Sequence, residues 1–149
     1  MFRKIWKSFE LVAARCLSKS GYVAIEWPTG CSYWNGPDVK KFMEIHGLDY
    51  VSIHGCALGL TSVVNGIPIK KPWAIVTNYN EIISALEGKR CLGEHLHPEH
   101  QPCAWSDTKR TECYTDLMVG MVRVAFASSL RRCDTDYGPV PACCSLVAS

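Results

Sequence analysis

Five residues with metal-binding side chains lie in the segment CLGEHLHPEHQPC, namely Cys91, His95, His97, His100 and Cys103. Thiolate and imidazole groups are the ligands that Zn²⁺ prefers, and four of them in a tetrahedron complete a structural site. The segment has few large apolar residues with which to build a core, so a bound metal would be its means of ordering. Because the spacing differs from that of common zinc fingers, a solvated loop rich in histidine is the alternative interpretation.

The zinc hypothesis assigns Cys91, His95 and His97 as the first three ligands. The fourth comes either from Cys103 or from Cys56, which lies at the end of a predicted strand. A closed set of four protein ligands indicates a structural zinc ion, whereas a catalytic one needs an open position for water. The sequence identifies no such open position.

A second candidate site lies in the stretch VAIEWPTG, which starts with a short apolar run at Val23. This run ends on the carboxylate of Glu26, beside Trp27 and Pro28. In open α/β sheets, ligands bind beyond the carboxyl ends of the strands, where Glu26 would face a substrate. The alternative is that Glu26 caps the turn at Thr29.

Two indoles and an amide accompany Glu26 in this second site. Trp27 and Trp34 flank the turn after the strand, where they would stack on a base or simply cover the end of the sheet. Asn78 directly follows another strand, Trp73 to Thr77, and is included as a substrate-binding residue on the same reasoning about strand ends.

The composition limits the class of protein. The chain has 149 residues, of which 48% are apolar and 20% charged, which predicts a single domain. The formal net charge is only +2 and the basic residues occur as scattered pairs, so the sequence shows no strong nucleic-acid footprint. For the pair Lys70 and Lys71, a solvated edge is favoured over a phosphate contact. Nucleic acid stays open as a partner.

The cysteine count and the lack of long apolar runs predict the cellular compartment. No run approaches the roughly 18 apolar residues of a membrane span, and charged residues interrupt any signal-peptide core. We therefore expect an intracellular protein, cytoplasmic or nuclear, with no membrane partner. The nine cysteines are odd in number, so we expect them to be reduced.

Apolar periodicity and capping residues predict alternating helices and strands. The predicted elements are a helix to about Lys19, a strand Tyr22 to Glu26, a helix from Pro37 to Gly47, a strand Asp49 to Cys56, a hairpin with a type I′ turn at Asn65 and Gly66, a strand Trp73 to Thr77, a helix from Asn80 to Gly88, and a last helix from Asp116, capped by Thr115, to about Arg131.

This order predicts an α/β fold, because strands separated by helices cross over and pair in parallel. The expected architecture is a three-layer, Rossmann-like partial parallel sheet with flanking helices and a β-hairpin at one edge. We assign residues 1–132 to this domain and residues 133–149, which have turn residues and no periodicity, to a loosely ordered tail.

Five blocks of the sequence, in order, resemble a family related to cytosine-C5 DNA methyltransferases that occurs in phages and in polyproteins of copia-like retrotransposons. The blocks are GYVAIEWPTGCSYW, SIHGCALGL, PIKKPWAIVTN, RCLGEHLH and ECYTDLMV, and the resemblance covers roughly Phe2 to Arg132. In the better-known methyltransferases a strand ends in Glu-Asn-Val or Glu-Asn-Pro, and that Glu holds the target base. The matching residues here are Glu26, Trp27 and Pro28, so the resemblance implies that Glu26 is an acid facing the ring N3 of cytosine.

The sequence departs from that family in two ways. Trp27 replaces the Asn, and the chain has neither a G-x-G-x-x-G turn nor a Pro-Cys nucleophile in its first half. The resemblance therefore implies the carboxyl half of a methyltransferase-like fragment, inactive alone and using S-adenosylmethionine only with an amino-terminal half. An exposed edge strand near Tyr22 to Glu26 would then favour self-association. The alternative function is a non-catalytic, zinc-stabilised module that binds nucleic acid or a polyprotein partner.

Overall fold

The computed structural model describes residues 2–93, 97, 99–104, 107–108, 111 and 113–136. In chain order its helices and strands are α1 (Phe2–Leu17), β1 (Ala24–Pro28), α2 (Pro37–Ile45), β2 (Asp49–His54), β3 (Pro72–Thr77), α3 (Asn80–Leu86) and α4 (Asp116–Asp136). Short 3₁₀ helices span Ser32–Asn35 and Gly55–Leu58. In the part of the chain that is described, we find no helix with the length and apolar character needed to cross a membrane.

The helices begin close to where the sequence predicts, because their caps are local. Pro37 occupies the first turn of α2. At the start of α4, the Thr115 hydroxyl accepts a hydrogen bond from the Met118 backbone N–H at 3.2 Å, as predicted for a capping threonine. The helix α4 continues to Asp136, past the expected end near Arg131. Residues 137–149 of the predicted tail lie outside the described residues.

The apolar stripe of α1 is wider than the face that the helix buries. Apolar residues recur at three- and four-residue spacing along α1, and Trp6 and Ala13 of this stripe are buried. Ile5 and Val12, which belong to the same stripe, are 61% and 71% exposed. The sheet covers only one side of the helix, so apolar residues at the margin of the stripe face solvent.

The prediction of a parallel sheet is wrong. The sheet has three strands in the order β1-β3-β2, and both neighbouring pairs are antiparallel. In register, Pro28 of β1 lies opposite Trp73, and His54 of β2 lies opposite Pro72. The ends of β1 and β2 therefore lie beside the beginning of β3.

The path of the chain between β2 and β3 explains this antiparallel order. The crossover through α2 makes β1 and β2 run in the same direction, as expected. Residues 55–71 then form a 3₁₀ helix and a small hairpin instead of a crossover helix. The chain re-enters the sheet at the end where it left, so β3 runs back between the other two strands. Consequently, β1 lies at an edge of the sheet, and self-association through it stays a prediction.

Helices cover both faces of the sheet, so the expected three layers are present. On one face, α1 and α2 enclose a core rich in aromatic residues, including Trp6, Ile25, Val39, Phe42 and Val76. On the other face, the hairpin, α3 and α4 enclose a core composed mainly of aliphatic residues, including Val51, Ile53, Leu58, Ile69, Ile75, Leu86 and Met118.

The predicted hairpin is present, but its turn is not the two-residue type I′ turn. Ser62 N–H donates to the Ile67 carbonyl at 2.9 Å, which leaves a four-residue loop, 63–66. A type I′ turn needs positive φ at both central residues, and here Gly66 has φ +73° whereas Asn65 does not have positive φ. The buried carboxylate of Asp107 holds this loop from outside, accepting hydrogen bonds from Ser62 Oγ at 2.8 Å and from the Val63 N–H at 3.0 Å.

Candidate metal centre

A tight turn after β2 places Cys56 at the end of the sheet. Gly55 starts the 3₁₀ helix that carries Cys56. A Cβ at position 55 would lie 2.6 Å from Leu60 Cδ2 and 3.1 Å from the Ile69 carbonyl oxygen, so any other residue would force these neighbours to shift. The Gly55 N–H donates to the Lys70 carbonyl at 2.7 Å. These contacts fix the backbone from which the Cys56 thiol projects.

Cys91 reaches the same place because the chain after α3 runs beside β2. The His54 N–H donates to the Lys89 carbonyl at 2.9 Å. Two residues later, the Cys91 N–H donates to His54 Nδ1 at 2.9 Å. The ring of His54 therefore positions Cys91 through its backbone, and the exposed edge of β2 is partly covered.

Four potential ligands meet at this point, namely Cys56, Cys91, His97 and His100. Their ligand atoms all lie within 4.8 Å of one another, and all four residues are half-buried. Cys91 Sγ lies 3.2 Å from His97 Nε2 and 3.4 Å from His100 Nε2. In tetrahedral zinc sites with Zn–S bonds of about 2.3 Å and Zn–N bonds of about 2.0 Å, neighbouring ligand atoms lie about 3.3 to 3.8 Å apart. The cluster fits a zinc ion in donor type, and the two distances from Cys91 Sγ lie close to this range.

The electrostatics of the cluster favour its neutral form. Burial raises the pKa of the Cys56 thiol from 9.0 to about 11, and the hydrogen bond with Cys91 adds to this shift. Burial also lowers the pKa of His100, with a further contribution from the charge of His97. A neutral imidazole is the form that binds a metal, whereas a thiol must lose its proton. Metal binding at this cluster would therefore release protons from cysteine.

The structure brings together three of the five residues assigned from sequence as zinc ligands. Cys91 and His97 are in the cluster, and Cys56 joins them from the neighbouring strand end. Cys103 lies elsewhere, with Sγ 3.2 Å from Thr111 Oγ1. His95 lies outside the described residues. The fourth member is His100, which was noted in the sequence pattern but was not assigned as a ligand. Its spacing of three residues from His97 could have indicated that both histidines bind one metal ion.

Glu26, the predicted base-facing acid, points to the sheet face covered by α3 and α4. It lines an apolar cavity of about 310 Å³ together with Ile75, Tyr114 and Met118. The Tyr114 hydroxyl donates to Glu26 Oε2 at 3.0 Å. Burial, and then the charge of Glu26, raises the pKa of Tyr114 to about 12. Sequence analysis missed Tyr114, because 88 residues separate the two partners.

Trp27 and Trp34 lie on the opposite side of the sheet from Glu26. Trp27 packs against the aromatic core, with its ring centroid 5.9 Å from that of Trp6 and 4.6 Å from that of Trp34. Trp34 Nε1 donates to the Pro28 carbonyl at 3.0 Å. These contacts support the interpretation in which the indoles cover the end of the sheet.

Asn78 lies at the opposite end of the sheet from Pro28, because β1 and β3 are antiparallel. Its side chain accepts a hydrogen bond from the Val23 N–H at 2.9 Å and donates one to the Gly21 carbonyl at 3.2 Å. Asn78 thus joins the start of β1 to the end of β3. The expected grouping with Glu26 and Pro28 assumed parallel strands, and the observed topology separates these residues.

Comparisons with protein-family models, with curated proteins and with solved structures find no match for this chain.

Proposed function

We propose that this chain is a non-catalytic module in which a structural zinc ion holds the segment from Cys91 to Ala104 against the end of β2. The observation that carries the proposal is the meeting of two thiols and two imidazoles from separate parts of the chain within 4.8 Å. A Cys₂His₂ set is a closed tetrahedral donor set typical of structural zinc. Softer thiolate ligands favour zinc over magnesium or calcium.

The composition of the segment supports a structural role for the metal. Of the described residues from Cys91 to Ala104, none is buried, and Leu92 is 77% exposed. Ordering a residue costs about 1 to 2 kcal/mol in backbone entropy, which the segment cannot offset by apolar burial. A structural zinc contributes on the order of 10 kcal/mol at neutral pH. When bound, the ion would supply a cross-link between β2 and the segment.

Elemental analysis of the purified, reduced protein tests this proposal. We expect about one zinc per chain, as a single four-ligand site requires. Replacing any ligand, as in Cys56→Ser, Cys91→Ser, His97→Ala or His100→Ala, should remove the metal. Cys103→Ser is the matched control and should retain it. Metal-free wild-type protein, or loss of zinc in the control variant, would contradict the assignment.

A methyltransferase-like fragment remains a second proposal, supported by the cavity beside Glu26. A carboxyl group on the wall of a cavity of about 310 Å³ would suit a small planar ring. Against it, Glu26 already accepts a hydrogen bond from Tyr114, and the sheet is antiparallel. Calorimetric titration with cytidine decides between them. We expect no binding, whereas micromolar affinity that Glu26→Gln abolishes would favour the methyltransferase.

A further inference from the structure

Two pairs of basic residues, distant in sequence, meet at the metal centre. The Gly55 N–H donates to the carbonyls of Lys70 and Lys71, at 2.7 and 3.1 Å. The preceding residue, His54, donates its N–H to the Lys89 carbonyl at 2.9 Å. One short stretch of backbone at the end of β2 therefore anchors both pairs, which the sequence shows only as scattered charges.

Three of the four cations face outward and form what we call the basic patch, namely Lys70, Lys89 and Arg90. Lys70 and Arg90 are exposed, and Lys89 is half-buried. Arg90 Nε donates to the Ser52 carbonyl at 3.1 Å, which orients the guanidinium without using its terminal Nη groups in that bond. An oriented guanidinium is well suited to pair with a phosphate through two parallel hydrogen bonds.

Lys71 has a different role from the basic patch. Its ammonium group donates to the Thr111 carbonyl and lies 5.3 Å from the ring centroid of Trp73. This cation is therefore engaged inside the molecule. Its contacts hold the backbone of the Lys70 and Lys71 pair in place, so that Lys70 projects from a fixed position.

The basic patch makes no ion pair with the carboxylates that the structure describes. Among the described residues, no ion pair joins Lys70, Lys89 or Arg90 to a carboxylate. A zinc ion bound by two thiolates and two neutral imidazoles has no net charge, so it would leave the charge of the patch unchanged. The patch therefore attracts anions whether or not the site is loaded.

We propose that the basic patch binds the phosphate backbone of a nucleic acid, beside the segment that the zinc ion holds. This inference rests on the proposed function, because the zinc site fixes Cys91 and hence the neighbouring Arg90. A nucleic acid presents negative charges at short, regular intervals, so neighbouring cations contact several phosphates at once. Contacts of this kind carry no base preference. We therefore expect binding that depends on salt and not on sequence.

Fluorescence anisotropy with the zinc-loaded full chain tests the proposal. The probes are labelled single-stranded DNA of about 16 nucleotides, matched RNA and the DNA duplex, at about 50 and about 200 mM salt. Wild-type protein should bind at low salt and lose affinity as salt rises. Lys70→Gln combined with Arg90→Gln should weaken binding about tenfold and lower the slope of log affinity against log salt by about 2, because each cation that pairs with a phosphate contributes about 1.

The matched control removes the same charge from another surface. Lys40→Gln combined with Lys41→Gln changes two exposed lysines of α2 and should alter the affinity by less than about twofold. Lys70→Glu alone preserves the bond between Arg90 and Ser52, so it separates loss of charge from loss of fold. Equal weakening by the control and the patch variants would overturn the proposal, since it would show that only net charge matters.

Zinc content, measured on every sample, separates this proposal from the one on which it rests. Zinc-loaded protein that binds none of the probes at low salt would overturn the basic patch as a nucleic-acid site and leave the zinc module intact. Protein without zinc would overturn the zinc module itself. Poly-glutamate that competes as well as the oligonucleotide would overturn the nucleic-acid partner in favour of an acidic protein segment.

Discussion

The strand β3 and the segment from Cys91 to Ala104 are ordered by different forces. After Pro72, every residue of β3 is buried, with helices on both faces of the sheet. The segment has no buried position among its described residues, and its contacts are hydrogen bonds and sulfur–imidazole approaches. Apolar burial thus holds the sheet, whereas the segment is held by polar contacts, namely the Cys and His cluster and a few hydrogen bonds such as that from the Gln101 N–H to the Pro68 carbonyl. The sheet and the segment should therefore lose their structure under different treatments.

Loss of zinc should produce the largest effect and should separate the two regions. In Cys91→Ala, the segment would lose the proposed zinc ion, whose binding contributes on the order of 10 kcal/mol. We expect backbone amides of residues 91–104 to exchange rapidly with solvent and the segment to become sensitive to protease, while β3 keeps its protection. Hydrogen exchange followed by mass spectrometry measures this. Cys103→Ala should behave as wild type, and a protected segment in Cys91→Ala would show that something else orders it.

A change in the core should affect both regions together. Ile53 is completely buried, so Ile53→Ala should lower the free energy of unfolding by about 2 to 5 kcal/mol through reduced apolar burial and a cavity. Chemical denaturation of the zinc-loaded protein measures the change. Ile45, which is 64% exposed, provides the control, since Ile45→Ala should change stability by less than about 0.5 kcal/mol. A core variant that unfolds only the segment would show that apolar burial does not hold the sheet.

Substitution of Asn78 should show how much its hydrogen bonds contribute to the free energy of unfolding. Asn78→Ala removes two hydrogen bonds that join the residue after β3 to the residues just before β1, and it leaves the Val23 N–H without its partner. The expected loss is about 1 to 3 kcal/mol of unfolding free energy, measured by thermal or urea denaturation. The zinc content should not change, because Asn78 lies at the opposite end of the sheet from the metal centre. Asn35→Ala, at an exposed position, is the control and should have little effect.

Alkali should lower the stability of the metal-free protein, whereas acid should release zinc from the zinc-loaded protein. Because the Cys56 pKa is raised from 9.0 to about 11, metal-free protein favours the neutral thiol and should lose stability as pH rises through that range. Zinc binding displaces thiol protons, so acidification should weaken it and release the metal. A chromogenic chelator measures zinc release, and denaturation at each pH measures stability. Zinc release that does not respond to acid would exclude thiolate ligands.

The smallest effect is expected at Glu26. Glu26→Gln removes the negative charge beside Tyr114 while burial remains, so the Tyr114 pKa should fall from about 12 but stay above its usual 10.0. Ultraviolet titration measures the change, with Tyr114→Phe subtracted to isolate this tyrosine. Glu44→Gln, on an exposed residue of α2, should leave the titration unchanged. An unchanged Tyr114 pKa in Glu26→Gln would show that burial alone raises it.

Local patterns predicted the elements well because their causes lie within a few residues. Thr115 precedes the first turn of α4 and caps it as the sequence indicates. The Asn65 and Gly66 pair marks a turn correctly, but the pair alone does not indicate the four-residue loop or the bonds that this loop makes to Asp107, which is distant in sequence. The metal centre was predicted in part for the same reason. Cys91 and His97 lie in one recognisable cluster, while the choice of His100 over Cys103 depends on how the segment folds back.

The sequence by itself determined the helices, the strands, the presence of a hairpin and a concentration of zinc-binding residues, since each follows from spacing along the chain. The tertiary structure alone decided the direction of β3, because a turn and a crossover helix between strands are distinguished by long-range packing. That direction places Asn78 and Pro28 at different ends of the sheet, while Glu26 lies in the middle of β1, where Tyr114 approaches it. It also brings Lys70, after the hairpin, and Arg90, after α3, to the same end of β2. These basic residues are scattered in sequence, and hydrogen bonds with the backbone at the end of β2 bring them together.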